Sequence, residues 1–104
     1  MNNETRPWGN EITWANTDKY SGRILIIKEG EQTLFGYNKN RDKVIFVLQG
    51  VITLVLEGRT KMLGEKETYH IHAKTMHQIK AVKGDATILE AGSPIADDFV
   101  EVSI

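Results

Sequence analysis

The chain predicts an all-β fold, a barrel or a sandwich. Short runs rich in β-branched residues recur along its 104 residues, and turn signals separate them. Nowhere does an apolar period of 3.6 persist through three turns, so no amphipathic helix is indicated. Many short strands at regular spacing belong to closed or stacked sheets, because an isolated sheet leaves its edges and one face uncovered.

The first run is Arg23-Ile24-Leu25-Ile26-Ile27-Lys28, bounded by Ser21-Gly22 and Glu29-Gly30. Val44-Ile45-Phe46-Val47-Leu48 leads to Gln49-Gly50. Val51-Ile52-Thr53-Leu54-Val55-Leu56 follows at once and stops at Glu57-Gly58. Thr60 to Leu63 ends at Gly64-Glu65, and Glu67 to Ile71 follows it. His77 to Val82 ends at Lys83-Gly84-Asp85, ahead of Ala86 to Ala91 and Phe99 to Ile104. Residues 1–10 read as an N-terminal arm on a single domain spanning 1–104. The run from Val44 to Leu56 is apolar on both faces, whereas a strand with one wet face alternates. A second layer outside the barrel is therefore expected: the N-terminal segment or a second copy of the chain. We expect a homodimer; a double-walled barrel that covers itself is the alternative.

Composition narrows the function classes. Thirteen Lys and Arg against fourteen Asp and Glu leave a net charge of −1, with no basic run to track a nucleic acid. The absence of cysteine excludes disulfides and thiolate metal sites and fits a reducing compartment. No apolar stretch approaches the ~20 residues of a membrane helix. Met1-Asn2-Asn3-Glu4 has neither the charged nor the apolar region of a secretion signal. A cytoplasmic location is the expectation.

The chemistry centres on residues 38 to 50, from Asn38-Lys39-Asn40-Arg41-Asp42-Lys43 to Gly50. Their spacing resembles the first motif of the cupin superfamily: His-x-His, a Glu three residues later, then six residues to a Gly. Here Asn38 and Asn40 stand at the His positions and Lys43 at the Glu position, while Gly50 is retained. His77 matches the His that ends the second motif. Further likeness, to cupins related to the type II mannose-6-phosphate isomerases, lies in Arg6-Pro7-Trp8-Gly9, in Asp18 to Leu25, in Glu67 to His77, in Ser93-Pro94 and in Asp97 to Val100. The chain departs from that pattern at His72-Ala73-Lys74, where a Pro-Pro-Gly turn is usual, and at Glu101, where an Arg often follows. The resemblance implies a cupin-type jelly-roll β-barrel with a site in one mouth. In that family a divalent metal, held by three His and a Glu, acts in the isomerases as a Lewis acid near the sugar carbonyl.

The candidate residues follow from these positions. Strand alternation places His77, Ile79 and Ala81 on one face, taken as inward. A lone imidazole does not make a catalytic zinc site, which commonly takes three protein ligands. Amide oxygens are poor partners for transition metals, and an ammonium repels a cation. No metal and no cofactor are therefore assigned. Lys43, drawn into the barrel, would either supply the positive charge that a metal normally brings or pair with an internal carboxylate. Asn38 and Asn40 would bond sugar hydroxyls or cap the turn before the strand. Arg6, Trp8 and Trp14 would line the mouth with a guanidinium and aromatic faces, and Tyr37 would lie near it. His70 and His72 point outward, opposite to Tyr69 and Ile71, and read as a polar surface pair that would at most bind metal adventitiously. Asp97, Asp98 and Glu101 read as a solvated approach to the last strand.

The expected function is binding of a small polar molecule, a sugar or sugar phosphate, without catalysis or without metal. If there is chemistry, His77 is its acid–base residue and Lys43 its electrostatic partner. The alternatives are a metal-dependent, isomerase-like cupin enzyme with relocated ligands, and a structural or interaction barrel filled by its own side chains.

Overall fold

The computed structural model describes residues 2–103, and eleven strands with no helix make up its regular structure. They are β1 (Asn2–Arg6), β2 (Gly9–Asn16), β3 (Ser21–Ile27), β4 (Gly36–Asn38), β5 (Lys43–Gln49), β6 (Ile52–Leu56), β7 (Arg59–Leu63), β8 (Thr68–Ile71), β9 (His77–Ala81), β10 (Ala86–Gly92) and β11 (Phe99–Glu101). One sheet runs β1-β2-β3-β10-β5-β8 and the other β11-β4-β9-β6-β7, with every pairing antiparallel. The last strand stops at Glu101, short of the predicted Ile104, which lies outside the described residues. Among the described residues no helix is long and apolar enough to cross a membrane.

The predicted N-terminal arm is instead a hairpin. Pro7-Trp8 turns the chain between the paired Arg6 and Gly9, and β2 then lies along β3. β1 carries no large apolar residue, so composition alone does not mark it; it forms because β2 offers it an edge. The hairpin extends the sheet sideways and does not cover its outer face.

Alternation places the core. Ile45 and Val47 of β5, Ile88 of β10, and Leu25 and Ile27 of β3 meet Ile52 and Leu54 of β6 and Ile79 and Ala81 of β9, all buried. The same faces change character along their length. β5 and β9 begin with Lys43 and His77, β3 carries Arg23 near its start, and β10, running the other way, carries Glu90 and Gly92 near its end. The register sets Glu90 opposite Arg23 and Gly92 opposite Lys43. One end of the interior is therefore apolar and the other polar.

The opposite face of the six-stranded sheet is also apolar. A cross-strand row joins Phe46, Leu89, Ile24 and Ile12. Val44 and Leu48 beside it are 41% and 52% exposed, so the two-faced run from Val44 is covered on its inner side only. Trp14 lies over Gly22 on this outer surface and is 54% exposed.

Two glycines hold turns that other residues resist. Gly50 has φ 91° between β5 and β6. Gly9 has φ 151°, and a Cβ there would run into the carbonyl oxygen of Ile26 on β3. Gly9→Ala is expected to cost about 2 kcal/mol or more in urea denaturation, because strain and backbone collision act together. A loss below a few tenths would show that the hairpin does not depend on this approach.

Candidate functional site

At the polar end the barrel opens into a cavity of about 610 Å³, lined among others by Arg23, Asn38, Lys43, His77 and Glu90. Glu90, 2% exposed, is its electrostatic centre. Its Oε1 accepts a hydrogen bond from Arg41 Nη1 at 2.7 Å and faces Arg23 Nη1 at 3.7 Å; its Oε2 faces Lys43 Nζ at 3.6 Å. Burial would push this carboxyl up, but the three cations prevail and hold it at about 2. Arg23 also faces Glu11 Oε1 at 3.7 Å, and Glu11 accepts from Arg6 at 2.9 Å.

The three cations around Glu90 are not equivalent. Every side-chain nitrogen of Arg41 is hydrogen-bonded: it donates to Ser21 Oγ and to the Ser93 carbonyl as well as to Glu90, tying the start of β5 to β3 and to the end of β10. Lys43 and Arg23 are loosely paired, beyond the ~2.7–2.9 Å of a charge-assisted hydrogen bond. Arg23 Nε is buried without a partner. Burial pushes the Lys43 ammonium down, Glu90 pulls it back, and Arg41 and Arg23 oppose it, leaving it below the usual lysine range.

Asn38 is fixed from behind. Its Nδ2 donates to Asp98 Oδ1 at 2.9 Å, which leaves Asn38 Oδ1 buried and unpaired. Asp98 Oδ2 accepts from the backbone N–H groups of Asn40 and Arg41. Burial alone would raise the Asp98 carboxyl; these hydrogen bonds outweigh it and hold the group below its ordinary value. Asp98 is thus a buried anchor and not part of a solvated approach.

His77 is 4% exposed. Its Nδ1 lies 2.8 Å from the Thr75 carbonyl oxygen, which can only accept. The proton is therefore assigned to Nδ1, and Nε2 keeps a lone pair. Burial, then the nearby Lys43 charge, push this imidazole down from 6.5 to about 4, so it is neutral at pH 7. The Phe99 ring packs edge-on against it, 6.1 Å between centroids.

Of the residues singled out in the sequence, Asn38, Lys43, His77, Arg6 and Trp8 line the cavity. Tyr37 does not, because it follows strand alternation away from its buried neighbours Gly36 and Asn38. Asn40 is exposed and reaches the site only through its backbone N–H. Trp14 lies on the outer surface, and His70 and His72 are exposed. Lys43 does pair with an internal carboxylate while still facing the cavity. Sequence reading missed Glu90, Arg23, Arg41 and Glu11. The signal for Arg23 was its phase, two and four residues from the inward Leu25 and Ile27. Glu90 sits in a run apolar on both faces, where phase gives no direction.

The metal implied by this fold does not fit these residues. A lysine ammonium stands in the carboxylate ligand position, Asn38 offers a neutral amide oxygen, Asn40 is outside, and Glu90 is already held by three cations. Of the usual ligand positions, His77 alone keeps a metal donor.

Two antiparallel sheets closing over a polar mouth with this motif spacing define a cupin-type β-barrel whose usual ligand positions have been refilled. The chain belongs to the mannose-6-phosphate isomerase C-terminal family, whose model matches residues 2–98. It is similar to a mannose-1-phosphate guanylyltransferase of Escherichia coli (strain K12), 26% identical over 98 residues, covering 91% of this chain and 20% of that protein. A protein of the same description from Sinorhizobium fredii is 24% identical over 74 residues, covering 71% of this chain and 14% of that one. The chain thus spans a fifth or less of these relatives. Among solved structures, KdgF from Halomonas sp. superposes with a TM-score of 0.84 at 20% identity, covering 93% of this chain and 89% of that one. The capsular polysaccharide assembling protein CapF from Staphylococcus aureus gives 0.88 at 13% identity, covering 99% and 34%. At such identities the structures share the fold.

The shifted histidine makes stability depend on pH. Because His77 titrates lower in the folded chain than in the unfolded one, its contribution is complete above pH 6.5 and declines as pH falls toward about 4, where the unfolded chain gains the proton first. Between pH 7 and pH 5 unfolding free energy should fall by about 2 kcal/mol on this account. His77→Gln should remove most of that slope in urea titrations; an unchanged slope would show that His77 is not the responsible group. Glu90 adds a second loss, from about pH 4.5 down to about 2.

Proposed function

We propose that the polar mouth binds a small anionic carbohydrate of the sugar-phosphate class, without metal-dependent chemistry. The observation that carries this reading is two buried, unpartnered polar atoms on residues that line one cavity from different sheets: the Arg23 Nε donor and the Asn38 Oδ1 acceptor. Buried polar groups are normally satisfied, so two unpaired ones beside one cavity leave hydrogen-bonding capacity that the protein itself does not meet. A phosphate oxygen suits Arg23 and Lys43, whose ion pairs with Glu90 are long. A sugar hydroxyl suits Asn38 Oδ1, and His77 Nε2 accepts from another. Four cations, Arg6, Arg23, Arg41 and Lys43, against three anions, Glu4, Glu11 and Glu90, leave this ion-pair network with one positive charge in excess, and Asp97 and Glu101 at the cavity's edge lie outside it. The family's description and the curated relatives' names, both of mannose phosphates, support the same ligand class. Binding is favoured over acid–base catalysis because an imidazole at about 4 is a weak base at neutral pH.

Calorimetry and thermal shift with mannose 6-phosphate, mannose 1-phosphate, mannose and inorganic phosphate test this. A sugar phosphate should bind more tightly than mannose, and Lys43→Met should weaken it about tenfold or more. No response to any of them at millimolar concentration, or equal affinity in the variant, would sink the reading.

We further propose that a second copy of the chain covers the outer face of the six-stranded sheet. The terminal hairpin lies in the plane of that sheet and leaves its outer face open, which supports this reading. The row from Phe46 to Ile12, flanked by Val44 and Leu48, remains exposed or half-exposed. Light scattering should give twice the 11.7 kDa chain mass, reduced to the single mass by Leu48→Glu. A monomeric parent protein at micromolar concentration would refute the pairing.

A further inference from the structure

The end of β8 carries a second, unrelated constellation on the outside of the barrel. β5 and β8 pair Lys43 with Ile71 and Val44 with His70. The next step of that register brings Asp42 opposite His72, and the Ala73 N–H donates to Asp42 Oδ1 at 2.6 Å. His70 and His72 flank the buried Ile71 and so share the outward face. Their rings lie 3.8 Å apart between centroids, tilted by 32°. One ligand atom from each of Asp42, His70 and His72 falls within 4.8 Å of the other two, and all three residues are exposed.

We infer that Asp42, His70 and His72 form a binding site for a divalent late first-row cation of the Zn²⁺ class. Two imidazoles and a carboxylate match the nitrogen and oxygen donors that such ions prefer, and they disfavour Mg²⁺ and Ca²⁺, which take oxygen alone. Three protein ligands leave a position for water or a small anion, the open form of a zinc site. A tetrahedral ion with bonds near 2.0–2.1 Å needs its ligand atoms about 3.3 Å apart. The exposed rings reach that by turning about their side-chain bonds, with no backbone change.

Asp42 is the organised member. Its backbone N–H donates to Ser93 Oγ at 3.0 Å, and its carbonyl accepts from the Ser93 N–H at 3.0 Å. With Ala73 holding Oδ1, the carboxylate is oriented by an outer set of hydrogen bonds, as metal-bound carboxylates usually are. The site is separate from the barrel mouth: Lys43 and Ile71, the neighbours of Asp42 and His72, are buried on the inner side. A bound ion clips the start of β5 to the end of β8, so it should raise thermal stability by linkage.

The test is titration of the untagged, metal-stripped protein with Zn²⁺ by calorimetry and with Co²⁺ by visible absorption, alongside thermal shift. One ion per chain with micromolar or tighter affinity is expected, with the d–d bands of a low-coordinate Co²⁺ site and a raised Tm. His72→Ala and Asp42→Asn should each weaken binding at least tenfold. Asp42→Asn keeps an acceptor for Ala73, and His72 is exposed, so both variants should retain the metal-free Tm of the parent. His77→Gln should bind as the parent does. No binding, binding retained in His72→Ala, or binding lost in His77→Gln would each overturn the assignment.

Discussion

Glu90 is the charge on which the polar end of this barrel depends. It belongs to β10, the strand between β3 and β5, and from there it reaches cations contributed by both neighbours. Burying an ion uncompensated costs several kcal/mol, and the cost is recovered only where partners and hydrogen bonds meet it. Here the compensation is mutual. Arg41 is buried because Glu90 and Ser21 receive it, and Lys43 is tolerated inside because the same carboxylate lies 3.6 Å away. Had Glu90 been apolar, three neighbouring cations would face one another across a small mouth.

This explains how a barrel of the cupin type keeps its shape with its metal-ligand positions refilled. A resident metal in such a mouth is a cation held by side chains from several strands. In this chain Lys43 and Arg41 provide fixed positive charge near the same place, and Glu90 and Asp98 hold the strands and loops that a ligand set would otherwise hold. The apolar half of the interior, from Ile27 and Val47 to Ile52 and Leu54, is a buried cluster that needs no metal, and Trp8, Leu25 and Ile79 join it to the polar half.

The runs from Arg23 onward were legible as strands because their β-branched residues lie between glycine turns. The strands that went unread have physical reasons. β1 is polar and exists by pairing with β2. β2 buries Glu11, which only Arg6 and Arg23 make tolerable. β4 has three residues, too few for a period. In the site, motif spacing found Asn38, Lys43 and His77, because spacing along a strand survives the loss of the ligands themselves. It misplaced Asn40, which follows the end of β4 in an exposed bend where alternation no longer holds, and it gave no direction for Tyr37, which one residue of phase turns away from Asn38. It read Asp98 as solvated, because the three donors that bury it come from residues about sixty positions away. It read His70 and His72 as a surface pair and had no means of adding Asp42, whose proximity is a matter of strand register.

The edges of the two sheets bear on aggregation. An open edge is a template for strand addition, and among the described residues there are four of them. β7 presents Arg59, Thr60 and Lys61, all exposed, and β1 presents Asn2, Asn3 and Glu4 with no large apolar side chain. β8 and β11 are only four and three residues long. Charge, polarity and brevity are the usual means by which edges are kept from recruiting other chains. Edge-to-edge addition is therefore discouraged at these borders, although Met62 on β7 and Phe99 on β11 leave some apolar surface there.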